Sequence, residues 1–315
     1  MSPDELQIRL HGALTALVTP FRDGVVDHQA FSTLVEWQIK EGINGLVPCG
    51  TTGEAPTLCW EERIAVIRRC VEIVDGRVPV IAGTGTNDTH STIASTSAAA
   101  SIGADAALIV TPYYNRPTQE GIFRHFEAVA RSVNIPIIIY NVPSRTGVDL
   151  TLATMERLAT IPTIIGIKDA TGELSRPMAL SNVVGDRFIQ LSGHDATAFG
   201  FKTMGGRGTI SVLANIVPRA VVEMHNACRS GDIHTARTIN NRLRPLLAAL
   251  ERETNPVPVK HALHLSRGMC PEVRLPLVPV ASDTAAAIQV ALSEFIHHFH
   301  DVHAPPVRQR AVGRL

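Results

Sequence analysis

Short apolar runs rich in β-branched residues recur along the chain: ALTALVTP (13–20), GLVPCG (45–50), VPVIAG (78–83), AALIVTP (106–112), IPIIIYNVP (135–143), TIIGIKDAT (163–171), FIQLSG (188–193) and GTISVLA (208–214). Each is short and apolar on both faces, the pattern of strands buried in a parallel sheet. Between them lie stretches with apolar residues at helical spacing, such as HQAFSTLVEWQIKEG, WEERIAVIRRCVEIVDG, STIASTSAAASIGA and QEGIFRHFEAVARSVN. Several close on the Gly or Asn that commonly ends a helix. Strand then helix, repeated for all eight runs, predicts an α/β fold of the (β/α)8 TIM-barrel type over residues 1–230.

Past PRAVVEMHNACRSGD the signals are helical only, at IHTARTINNRLRPLLAALERE, VPVKHALHLSRG and TAAAIQVALSEFIHHF. Residues 231–300 therefore read as a C-terminal helical appendix, suited to a lid or an oligomer contact. The tail 301–315, with two prolines and scattered arginines, reads as poorly ordered.

Composition narrows the function. A chain of 315 residues with 45% hydrophobic content can build a large core. Twenty-nine basic residues balance twenty-nine acidic ones, which leaves no basic face for nucleic acid and favours a small neutral or anionic ligand. No run approaches the roughly 18 apolar residues of a membrane span, and MSPDELQIRL does not read as a secretory leader, so the expectation is a cytoplasmic protein without membrane contact. Five cysteines without a CxxC pair suit reduced thiols better than disulfides or zinc.

Lysine is scarce: Lys40, Lys168, Lys202 and Lys260 are the only four among the 29 basic residues. Arginine serves wherever positive charge alone is needed, but arginine keeps its proton and cannot attack a carbonyl, whereas a desolvated lysine can. Lys40, Lys202 and Lys260 have ordinary placements in or beside helical patterns. Lys168 instead ends the apolar run IIGIK, where burial favours the neutral amine that condenses with a ketone or aldehyde. That predicts a Schiff base.

Barrel chemistry gathers where strands end. GTTGE (50–54) follows the second run, YYN (113–115) the fourth, YNVPSRTG (140–147) the fifth, and Lys168 closes the sixth. Each segment alone reads better as a turn or cap; together they put hydroxyls, an arginine and a lysine on one rim. Tyr140 is the expected proton-transfer group, Thr52 and Tyr114 the hydroxyls that extend it into a relay, and Arg145 a planar fork for a carboxylate.

The motifs GTTGEAPTL, TPYYNRPTQEG, YNVPSRTG, IIGIKDATGELSR, GTISVLANIVP, NPVPVKHAL and RLPL, in this order, resemble the dihydrodipicolinate synthase and N-acetylneuraminate lyase superfamily of class I aldolases. The resemblance runs from about Gly12 to about Pro279, and the Thr51-Thr52 pair with Arg145 is similar to the synthase branch. It implies that Lys168 bonds covalently to pyruvate, with no cofactor and no metal, and that Tyr140, Thr52 and Tyr114 relay protons. It further implies that Thr51 and Thr52 hold the pyruvate carboxylate, that Arg145 grips aspartate semialdehyde, and that backbone near Gly193 and Ile210 lines the pocket. The product would be the heterocycle that leads to diaminopimelate and lysine. Tyr114 would reach into a neighbouring subunit, implying a homodimer or homotetramer. Trp60, Arg63 and Ser91 stand where lysine-inhibited relatives carry histidine and glutamate, so weak or absent inhibition by lysine is expected.

Two other readings stay open at this stage: an aldolase of the same superfamily acting on a sugar-acid or other aldehyde, which Arg145 would distinguish, and a non-catalytic 2-oxo-acid sensor, which has no need of a relay. AGTGTND lacks GxGxxG spacing and reads as a turn. GGRG precedes the eighth strand and lies at the wrong end for a phosphate site. HHFHDVH reads as adventitious, His261 and His264 as packing or surface residues, and Cys49 as a buried thiol.

Overall fold

All eight apolar runs become parallel strands in the computed structural model, which describes residues 3–185 and 188–303. They are β1 (Gly12–Ala16), β2 (Gly45–Val47), β3 (Ile81–Gly83), β4 (Ala106–Val110), β5 (Ile137–Asn141), β6 (Ile164–Asp169), β7 (Ile189–Ser192) and β8 (Gly208–Ser211). The hydrogen-bonded order is β2-β1-β8-β7-β6-β5-β4-β3, and a parallel bridge between Leu46 and Val80 joins the two ends. The sheet is thus a closed barrel with no free edge. The strands are shorter than the apolar runs, because the last residues of several runs turn away at the rim to form the loops that carry polar groups.

The helices that wrap the barrel begin where the sequence supplies an oxygen to a free N–H. Asp27 accepts from Ala30 at the start of α2 (His28–Lys40), and Asp88 from Ser91 at the start of α4 (Thr89–Ile102). Thr118 accepts from Gly121 at the start of α5 (Gln119–Ser132), and Thr151 from Thr154 at the start of α7 (Leu152–Ala159). Each satisfies a donor that the first helical turn leaves unpaired. The helix α3 (Trp60–Val74) follows β2, α6 (Pro143–Thr146) and α7 follow β5, α8 (Arg176–Val184) follows β6, α9 (Ala198–Thr203) follows β7, and α10 (Pro218–Arg229) follows β8.

Two further elements lie outside the strand-and-helix alternation. The helix α1 (Pro3–Arg9) places Leu6 in the apolar cluster inside the barrel, where Leu10, just past its end, joins Leu14, Ile81, Leu108, Ile138 and Leu191. A small hairpin pairs Phe21–Arg22 with Val25–Val26 after β1. The appendix comprises α11 (Ile233–Leu250), α12 (Val257–Arg267) and α13 (Ser282–His303). One apolar cluster joins it to the barrel helices, running from Phe31 and Ile67 through Val221 to Leu246, Leu263 and Ile288. The helix α13 extends past residue 301, where the tail was expected to begin, and positions 304–315 lie outside the described residues.

The pairing of β5 with β6 decides which way the rim residues face. Ile137 pairs with Ile164, but Ile138 pairs with Gly166, so Ile165 is an extra residue in β6. Ile137, Ile139, Ile164 and Ile167 pack outward against Phe126 and Leu158 of the surrounding helices. Ile138, Tyr140 and Ile165 pack inward. The bulge re-phases the strand so that Lys168 pairs with inward-facing Tyr140 and Leu191. Without it, the strict two-residue alternation from Ile165 would turn Lys168 toward the helices. Gly166 is bare for a related reason: a Cβ there would meet the carbonyl oxygen of Ile189 at 2.5 Å.

Candidate active site at the barrel rim

Lys168 is 5% exposed at the C-terminal end of β6, and its Nζ lies 4.1 Å from the centre of the Tyr140 ring. Among the described residues no carboxylate pairs with it. Its neighbour Asp169 faces the opposite way and is fully engaged, accepting from Arg176 Nε at 2.9 Å and from the Thr171 hydroxyl at 2.6 Å. Gly193, just past β7, leaves the space that the lysine stem occupies: a Cβ there would stand 2.8 Å from Lys168 Cε. Ile210, 1% exposed on β8, belongs to the same inner cluster as Tyr140.

A cavity of about 240 Å³ opens beside Tyr140, lined also by Thr51, Arg145, Arg63 and Tyr113; Lys168, Thr52, Gly193 and Ile210 do not line it. Thr51 and Thr52 sit in the loop after β2. Thr52 is 2% exposed, and its Oγ1 accepts from Asn255 Nδ2 at 2.9 Å. Arg145 sits on the single turn α6 and donates to the backbone oxygen of Asn255 at 3.3 Å. Cys49 also touches the cavity, but burial pushes its thiol up to about 12, which favours the weakly reactive protonated form, and its Sγ lies 3.8 Å from the Arg63 carbonyl oxygen.

Tyr114 is 90% exposed on a left-handed backbone with φ of 70° and does not line the cavity of its own chain, whose wall includes Tyr113. One expectation needs correction. Lys260 is not an ordinary helix-start lysine. It is 0% exposed, with Nζ 2.5 Å from Glu54 Oε1, 2.7 Å from the Glu272 carbonyl and 4.1 Å from the centre of the Phe21 ring. Burial lowers its pKa against the opposing pull of Glu54. The signal was available, since this chain spends so few lysines, but its partner stands over two hundred positions earlier.

Asn255, Glu54 and Lys260 are the functional-site neighbours that sequence reasoning missed. Of the three positions compared with lysine-inhibited relatives, Arg63 lines the cavity with its Nε buried and unpartnered, while Trp60 is 47% exposed and Ser91 is exposed at the first turn of α4. Among the described residues no group of three or more His, Cys, Asp or Glu side chains is placed to hold a metal ion. No described helix is long and apolar enough to cross a membrane.

A closed parallel barrel with a buried amine, hydroxyls and an arginine at its C-terminal rim defines a (β/α)8-barrel enzyme. The model of the dihydrodipicolinate synthetase family matches residues 9–295, and the chain belongs to that family. The 4-hydroxy-tetrahydrodipicolinate synthase of Methylobacterium radiotolerans is 50% identical over 284 residues, covering 90% of this chain and 95% of that one. The structure of the 4-hydroxy-tetrahydrodipicolinate synthase from Methylacidiphilum fumariolicum superposes with a TM-score of 0.91 at 42% identity, covering 93% and 98% of the two chains. The chloride-inhibited dihydrodipicolinate synthase of Acinetobacter baumannii, solved with pyruvate, gives 0.89 at 46% identity, covering 91% and 99%.

Proposed function

We propose that this enzyme condenses pyruvate with L-aspartate 4-semialdehyde to 4-hydroxy-tetrahydrodipicolinate, through a Schiff base on Lys168. The observation that carries the reading is the buried, acid-free Lys168 amine against the Tyr140 ring. The neutral amine attacks the ketone carbon of pyruvate, and the carbinolamine loses water to give an iminium. The iminium acidifies the adjacent methyl carbon, a group of the relay accepts the proton it loses, and the resulting enamine attacks the aldehyde, forming the new carbon–carbon bond. The semialdehyde's own amine then attacks the iminium carbon, closing the ring and releasing Lys168.

Each step moves a proton at the amine, the carbinolamine oxygen or the new alkoxide. Tyr140 is the group in contact with the amine, and Thr52 and a partner subunit's Tyr114 extend the relay. Thr51 and Thr52 hold the pyruvate carboxylate, with backbone at Gly193 and Ile210 completing that wall. Arg145 meets the semialdehyde carboxylate through its planar fork, from the cavity mouth where it is exposed. The relatives share the activity in name, and one of them holds pyruvate.

The test is reductive trapping. Borohydride added with pyruvate should fix a pyruvate-derived mass on the peptide that contains Lys168, and Lys168→Arg should abolish both the label and turnover. Capture of the label at any other lysine rejects the assignment.

A further inference from the structure

The three-carbon substrate and the relay occupy the barrel, yet one residue of the appendix touches two of the site residues at once. Asn255, in the turn before α12, donates from Nδ2 to Thr52 Oγ1 at 2.9 Å and accepts through its backbone oxygen from Arg145 at 3.3 Å. The turn itself is tied down: Lys260, one turn into α12, pairs with Glu54, whose other oxygen accepts from the Arg274 backbone at 3.0 Å. Glu54 and Thr52 belong to the same rim loop, so that loop and the appendix are fastened together at both residues.

A threonine hydroxyl has one hydrogen to give. The Asn255 amide occupies an Oγ1 lone pair as a donor, so the Thr52 hydrogen cannot point back at Asn255. Thr52 is 2% exposed, so bulk water competes little for that hydrogen. We infer that Asn255 is a positioning residue of the reaction: it orients the Thr52 hydroxyl as a proton donor toward the reacting centre while its carbonyl holds the Arg145 guanidinium at the mouth. The inference rests on the reading of Thr52 as a relay member.

The experiment compares Asn255→Ala and Asn255→Asp in the full-length enzyme, with kcat, KM for both substrates, pH–rate profiles and borohydride labelling at Lys168. Asn255→Ala frees the Thr52 hydroxyl to rotate, and kcat should fall about ten- to a hundredfold, within the range that positioned proton transfer contributes. Asn255→Asp keeps the shape of the side chain but presents an ionised acceptor that captures the Thr52 hydrogen, so near neutral pH it should be slower than Asn255→Ala. Its rate relative to wild type should recover as pH falls and the new carboxyl gains a proton, because a carboxylic acid donates again. Pyruvate labelling at saturation should match wild type in both variants. Wild-type kcat in Asn255→Ala overturns the inference, as does an Asn255→Asp variant faster than Asn255→Ala at neutral pH or one whose relative rate does not change with pH. If wild type itself takes no label at Lys168, the proposed function fails instead, and the two failures are told apart.

Discussion

Two of the four lysines are buried at or beside the rim, and the difference between them is the chemistry of a partner. Among the described residues Lys168 has an aromatic face and no acid, whereas Lys260 has a carboxylate, a carbonyl and an aromatic face. A buried pair of the second kind resists loss of one member far more than loss of both, because the surviving charge has nowhere to go. Lys260→Met should therefore destabilise the enzyme by about 3–5 kcal/mol and loosen the rim loop. The double change Glu54→Leu with Lys260→Met should cost clearly less, as measured by the urea midpoints of the two variants. Equal costs would mean that Glu54 is solvated once its partner is gone. Lysine scarcity made Lys168 legible as a buried amine and the proposed nucleophile, since its strand announces burial locally; Lys260 sits in a helix whose pattern carries no such announcement.

At the scale of elements, the helices that cover the barrel bury histidines that set a limit on acid stability. His125 on α5 is held down to about 4 by burial, with Nδ1 against the Thr89 hydroxyl at 2.9 Å. His225 on α10 is held down to about 3, by burial first and then by the charges of Lys202 and His11. In the unfolded chain both take up a proton near the ordinary 6.5. Between that value and the folded values the unfolded state binds more protons, so stability falls as the pH drops from about 6.5 toward 4 and then 3. Glu62, held down to about 2 by the Arg274 guanidinium, adds a loss of the same sign as the pH falls below its ordinary 4.5. The melting temperature should decline steadily through this window, and His225→Phe, which fills the site without titrating, should flatten the decline. An unchanged slope in that variant would place the acid sensitivity elsewhere. Helix spacing and caps were readable for these elements, whereas the charge environment of His225 was not, because His11 and Lys202 reach it from distant segments.

For the whole molecule, the outward Tyr114 is the informative residue. Its side chain is 90% exposed on a left-handed backbone and does not line the cavity of its own chain, so in the proposed relay a second copy supplies that hydroxyl. Subunit mixing checks this. Lys168→Ala and Tyr114→Phe proteins, each nearly inactive alone, should regain activity when unfolded and refolded together, since a hybrid carries one site with both native groups. No recovery in mixtures shown to contain hybrids would assign Tyr114 to its own chain or to no catalytic role. The barrel was legible from eight apolar runs, but the contacts of Thr52 and Arg145 with Asn255 of the appendix were not.

By itself the sequence determined the eight-strand alternation, the helical appendix and the burial of Lys168, because strand length, helical spacing and the placing of an amine within an apolar run are local properties. Tertiary structure alone decided the rest. The extra residue Ile165 turned Lys168 inward to face Tyr140, the helix α1 filled the base of the barrel, and Asn255 and Lys260 came back across the fold to grip the loop of Thr52 and Glu54. These depend on register and on contacts between residues far apart in the chain, where neither partner's neighbours carry any mark of the other.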